Sequence, residues 1–84
     1  MSRASAHEVV RQVALLHGVQ VHHVLGPRRW PELVKVRKEV AWILCELGMS
    51  YPAIGRALGK DHTTIMYYVG AIKTRPATKQ EGNA

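Results

Sequence analysis

The sequence predicts an all-α fold, a compact bundle of four to six helices, and three observations carry that expectation. Apolar residues recur every three or four positions in each long segment, the period of a helix with one buried face. Gly18, Gly48 and Gly59 fall just after the periodic stretches, where a glycine can take the left-handed conformation that ends a helix. The β-branched stretch Val19, Val21 and Val24 has no partner strand, so a single helical turn across 21–25 suits it better than an isolated strand.

The first segment opens on Ser5-Ala6-His7-Glu8, a Ser-x-x-Glu capping box in which the hydroxyl takes the Glu8 amide and the carboxylate reaches back. Ala6, Val9, Val10, Val13, Ala14 and either Leu16 or His17 follow at helical spacing, giving a helix over 6–17. After the short turn, Gly26-Pro27 breaks the chain and Arg28-Arg29-Trp30-Pro31 forms a basic loop. A long helix runs from about Pro31 to Leu47. Pro31 suits a first turn, where its missing N–H costs nothing, and Glu32 suits the positive end of the dipole. Its buried stripe is Leu33, Val36 or Arg37, Val40, Ala41, Ile43, Leu44 and Leu47, with Lys35, Lys38 and Glu39 toward water.

Ser50 is a natural N-cap for the next helix, with Pro52 in its first turn and Ile54 and Leu58 facing the core. Gly59 makes the turn, and Ile65, Tyr68 or Val69, and Ile72 repeat the inward pattern on a final helix. A short helix, a glycine turn and a second helix make a helix-turn-helix. The domain spans 5–74, and 75–84 reads as a flexible polar tail.

Composition narrows the function. The chain has 84 residues, enough for one small core, and 12 Lys+Arg against 6 Asp+Glu leave a net charge of +6. Such an excess points to a polyanionic partner, with nucleic acid ahead of an anionic membrane. One cysteine, Cys45, rules out an intrachain disulfide framework. No apolar run is long enough to span a bilayer, and the polar start lacks a signal peptide's hydrophobic region. A reducing, cytoplasmic location associated with the nucleoid fits. Met1 followed at once by the domain suggests a small protein complete in itself.

The sharpest constellation is Gly59-Lys60-Asp61-His62-Thr63-Thr64, where hydrogen-bonding side chains crowd the start of the last helix. In a helix-turn-helix that turn points at base edges in the major groove. Asp61 can accept from a cytosine amino group, His62 can meet a purine N7 or a thymine methyl, Thr63 offers hydroxyl and methyl, and Thr64 can hold a phosphate. The bland reading makes Asp61 a helix cap and the threonines incidental. Arg28 and Arg29 would likewise be an ordinary solvated loop, but with Lys35, Arg37 and Lys38 they set five positive charges against Glu32 alone.

Ser50 through Tyr67 resembles the C-terminal DNA-binding domain of the bacterial replication initiator DnaA, whose hallmark is an Arg-Asp-His-Thr-Thr-Val run after an Ile-Gly-x-x-Phe-Gly turn. Here the run is Ile54-Gly55-Arg56-Ala57-Leu58-Gly59-Lys60-Asp61-His62-Thr63-Thr64-Ile65. Upstream, Val24-Leu25 with Arg28-Arg29 looks like the family's basic loop, and Lys35-Val36-Arg37 opens the long helix as the family does, so the likeness covers about 6–74. It implies a TrpR-like helical fold that binds an asymmetric TTATCCACA-like duplex box as a monomer. It assigns Asp61, His62 and Thr63 to bases, Thr64 and Tyr67 to phosphates or the groove edge, and Arg29 to the adjacent minor groove. Arg37 with Lys35 would grip phosphate, and Ser50 and Pro52 would lie near the backbone. Lys60 stands where the family has Arg, keeping the charge without the planar fork. Trp30-Pro31 replaces polar or basic residues, and Tyr67 replaces a frequent His; such changes shift the preferred sequence.

Other chemistries fit poorly. Gly55-x-x-x-Gly59-Lys60-Asp61 is one residue short of a Walker A loop and lacks its Ser/Thr, so no nucleotide is expected, nor the initiator's ATPase. His17, His22, His23 and His62 have no zinc spacing, and His22 and His23, being adjacent on a helix, should point apart. Asp61, His62 and Thr63 fan out along a helix and cannot converge as a triad. The expectation is a non-enzyme without cofactor or metal: a sequence-specific duplex-DNA binder that regulates replication initiation or transcription. The competing class is a helical adaptor for another protein, its charge merely solvated. Trp30 is expected as a hydrophobic lid, and Trp42 and Tyr68 as packing residues.

Overall fold

Ser5 starts the first helix as its sequence position demands, its hydroxyl accepting from the Glu8 amide at 3.1 Å in the computed structural model, which describes residues 5–73. The reciprocal half of the box is replaced: the Glu8 carboxylate turns forward to Gln12 and Arg11, whose hydrogen bonds hold its pKa below the ordinary carboxylate value. Helix α1 (Ala6–His17) buries Val9, Val10, Val13 and Ala14 and ends at Gly18, whose φ of 70° is left-handed. Of the two residues left open at its end, His17 turns toward the body of the protein, whereas Leu16 is 82% exposed.

Helix α2 (Val21–Val24) is the single turn expected, with Val24 buried. Helix α3 (Pro31–Glu46) is the hub, packing against α1, α2, α4 (Tyr51–Leu58) and α5 (His62–Lys73). Its one-sided pattern makes this possible: Leu33, Val36, Val40, Ala41 and Leu44 all point into one core, where Ile54, Leu58, Ile65, Tyr68 and Val69 meet them. Each fully buried aliphatic side chain there contributes about 1.5–3 kcal/mol. Both residues left open at 36 and 37 are buried, as are both at 68 and 69. Trp42 packs partly buried against the same cluster.

All secondary structure among the described residues is helical. None of these helices is long and apolar enough to cross a membrane. Thr74 and the 75–84 stretch expected as a tail lie outside the described residues.

Candidate nucleic-acid interface

The helix-turn-helix is set by two glycines that no other residue could replace without cost. Ser50 caps α4, its hydroxyl accepting from the Ala53 amide at 3.3 Å, and Gly59 ends the helix with φ 70°. The chain then folds back so closely that the Lys60 amide donates to the Gly55 carbonyl at 2.8 Å. A β-carbon on Gly55 would stand 2.5 Å from the Lys60 carbonyl oxygen, a backbone atom that cannot step aside. Gly55 therefore fixes how tightly the turn closes, and with it where α5 begins.

Asp61 starts α5. Its backbone carbonyl accepts from the Thr64 and Ile65 amides, at 3.0 and 3.2 Å. Its carboxylate accepts the Thr63 hydroxyl at 2.5 Å, the chief reason its pKa lies below the ordinary value, with a smaller effect from His62. Asp61 thus stands at the cap position, and its carboxylate is exposed and also held in place. Beyond it, Ile65, Tyr68 and Val69 turn into the core, leaving His62, Thr63, Met66 and Tyr67 as one outward strip and Thr64 half-buried at its edge. Met66, 48% exposed, is a residue the sequence reading missed. Its register, one turn beyond His62, puts it on the outward side.

Arg37 requires a correction. It was expected at a phosphate, but it is 1% exposed and its guanidinium is taken up by backbone carbonyls of the α2–α3 connection. Nε donates to Val24 at 2.7 Å, and Nη2 donates to His23 at 3.0 Å and Gly26 at 2.9 Å. The carbonyls at the end of a short helix need donors, and a planar fork reaching from α3 supplies them. Arg37 consequently builds the basic loop that Arg28 and Arg29 occupy.

Both loop arginines are exposed, and Arg28 lies over the Trp30 ring at 4.8 Å. Trp30 is no lid: it is 50% exposed, with the His23 ring against it at 5.5 Å. Nor do His22 and His23 point apart, since their ring centroids are 4.2 Å from each other. The loop sits beside the helix-turn-helix. A β-carbon on Gly59 would be 3.7 Å from the Leu25 carbonyl, and the Lys60 ammonium has its pKa lowered by burial and then by the nearby charges of Arg37 and Arg29.

Lys35 is exposed on α3, and Lys38 reaches across to the Tyr67 ring of α5 at 5.6 Å. A groove of about 570 Å³ runs between these helices, bordered by Val34, Lys35, Lys38, Ala71 and Ile72. Ser50 and Pro52 are exposed at the start of α4. Thus Arg29 and Lys60 lie beside the turn that leads into Asp61, His62, Thr63 and Tyr67, whereas Arg28 rests on Trp30 in the loop and Arg37 lies beneath it. Among the described residues, no group of three or more His, Cys, Asp or Glu side chains could hold a metal ion.

A glycine-locked turn, a polar helix start and a basic loop beside it define a helix-turn-helix domain. The comparisons with known proteins make the assignment specific. The family described as bacterial DnaA protein helix-turn-helix matches residues 6–72, and the chain belongs to it. It is similar to the chromosomal replication initiator protein DnaA of Cereibacter sphaeroides, 31% identical over 81 residues that cover 94% of this chain and 18% of that protein. The DnaA of Lactococcus lactis subsp. cremoris is 35% identical over 69 residues, 80% of this chain and 15% of that protein. That of a Ruegeria species is 32% identical over 74 residues, covering 84% and 16%. The chain therefore spans less than a fifth of the length of these relatives.

Proposed function

We propose that this chain binds double-stranded DNA at a specific sequence, acting as a small regulator of replication initiation or transcription that has no ATPase activity of its own. The observation that carries this reading is the outward strip His62, Thr63, Met66 and Tyr67 at the start of α5, with Lys60 and Arg29 beside its first turn. The helix enters the major groove with His62 and Thr63 at base edges, Met66 against a thymine methyl, and Asp61 accepting from a cytosine amino group. Thr64 and Tyr67 border a phosphate, with Lys38 lending charge behind the Tyr67 ring. Arg29 enters the neighbouring minor groove, where Arg28 is steadied on Trp30, and Lys35 takes a backbone phosphate. Ser50 and Pro52 approach the backbone at the start of α4. The chain works as a monomer in the cytoplasm, on the nucleoid.

Selection from a random duplex library at physiological salt tests this, followed by binding to the enriched duplex and to a scrambled one. A DnaA-box-like winner supports a role at replication origins, and another motif supports a regulator with its own sites. If four cations meet phosphates, log K falls with log salt at a slope of about −3.6. Absence of any enriched sequence would favour the adaptor reading.

A further inference from the structure

One cluster in the fold plays no part in the recognition strip. The imidazole of His17, at the end of α1, lies between two carboxylates of α3: Nδ1 is 3.2 Å from Glu32 Oε2 and Nε2 is 3.0 Å from Glu39 Oε1. Two ionised carboxylates can only accept, so both contacts are hydrogen bonds only when both ring nitrogens carry protons. Glu32 and Glu39 are three residues before and four after Lys35, the positions from which a helical carboxylate reaches a lysine. Neither does so. Both turn to His17, and Lys35 stands exposed without an ion pair among the described residues.

We propose that His17 is a positioning residue for DNA binding: by holding both carboxylates that flank Lys35, it keeps that ammonium free to meet a backbone phosphate. The inference rests on the DNA-binding reading above. The charged groups facing the ring come from α3, Glu32 and Glu39 on its two nitrogens. On α1 itself Arg11 is paired with Glu8, and α2 offers His22 and His23, whose rings lie against each other. The two carboxylates hold the imidazole protonated above its ordinary range, Glu39 more than Glu32. Once the ring loses its proton it can satisfy only one of them as a donor. The released carboxylate is then within helical reach of Lys35 and competes with phosphate for it. Affinity for DNA therefore falls as pH rises through the ionisation of His17.

The test is anisotropy of the enriched duplex with the whole chain, titrated over salt and pH. His17→Gln should bind about three- to fivefold more weakly and lose about 0.9 from the salt slope, the signature of one phosphate contact. His17→Gln/Glu32→Gln/Glu39→Gln should recover both, because no carboxylate remains to capture Lys35. In a Lys35→Gln background, His17→Gln should add nothing. The wild-type chain should carry a pH step missing from Glu32→Gln/Glu39→Gln, with His62 common to both. That double variant leaves His17 in place and keeps the test available should His17→Gln fail to fold. An unchanged salt slope in His17→Gln, or an equal loss in the Lys35→Gln background, overturns the role of His17 while leaving DNA binding intact. A wild-type chain that prefers no duplex overturns the DNA-binding reading and this one with it.

Discussion

The Nε of Arg37 donates to the Val24 carbonyl at 2.7 Å, and this bond ties the central helix to the loop that carries Arg28 and Arg29. A cation that the family resemblance assigned to phosphate is the internal brace of the basic loop. Replacing Arg37 with Met keeps length and apolar stem but takes the guanidinium from the carbonyls of Val24 and Gly26 and leaves that of His23 with the Gly26 amide alone, at 3.3 Å. The expected loss is about 3 kcal/mol of stability, seen as a lower urea midpoint with the slope unchanged. Arg37→Lys should recover only part of it, because an ammonium cannot reproduce the fork. A Met variant as stable as the wild type would show that the carbonyls find other donors.

Gly55 poses a different kind of constraint. Its Cα faces the Lys60 carbonyl so closely that even alanine must push the turn open. Gly55→Ala should cost about 1–3 kcal/mol, the range for overpacking, and lower the melting temperature by about 4–8 °C for each kcal/mol. It should also cost affinity beyond the stability loss, since the turn sets where α5 starts. Gly59→Ala makes the contrast: its neighbour is at ordinary distance and only its φ of 70° is strained, so it should lose about 1–2 kcal/mol with little effect on the turn's closure.

These residues also show how far the sequence carries. The helices follow from periodicity and punctuation: Ser5, Gly18, Ser50 and Gly59 stand where the caps form, and the expected bounds of the first helix are those observed. The outward start of α5 was legible for the same reason, because Ile65, Tyr68 and Val69 leave His62 and Thr63 no core to serve. What could not be seen was where long side chains end. Residues 36 and 37 are neighbours on a helix, and nothing in their spacing says that a guanidinium will be buried by carbonyls from another segment. His17 joins residues fifteen and twenty-two positions away, a contact that exists only once α1 lies on α3.

Four groups have shifted pKa values. Lys60, lowered from 10.5 by burial, costs stability while charged and returns it as pH rises toward 10.5. The other three shape the response below that. His17 has its pKa raised above the ordinary 6.5, chiefly by Glu39, so the folded chain holds this proton more tightly than the unfolded one. Its contribution is complete below about pH 6.5 and fades as pH rises through the raised folded value. Glu8 and Asp61 are lowered from 4.5 and 3.8, so theirs is complete above those values and fades as pH falls through the lowered ones. Stability should peak between these limits. All three groups reach solvent, so both limbs are shallow. Urea midpoints across pH should show His17→Gln abolishing the alkaline limb and sparing the acid one; an alkaline limb that persists would assign it to another group.

At the recognition strip, Thr63 is asked to do two things, and two substitutions separate them. Its hydroxyl donates to Asp61 at 2.5 Å, and its methyl is free for a thymine. Thr63→Ser keeps the donor and should weaken binding only where a thymine methyl is met. Thr63→Val keeps the methyl but releases Asp61, whose carboxylate then loses its fixed aim. Thr63→Val should therefore relax specificity at the base that Asp61 contacts, and combining it with Asp61→Ala should cost less than the two losses added, because they remove one arrangement. His62→Ala should cost about 1–3 kcal/mol of specific affinity while leaving binding to a scrambled duplex nearly unchanged. Competition binding against single-base variants of the enriched duplex reads all of these. Fully additive losses for the Asp61 and Thr63 pair would show that each meets DNA by itself, and that the hydrogen bond between them does not serve recognition.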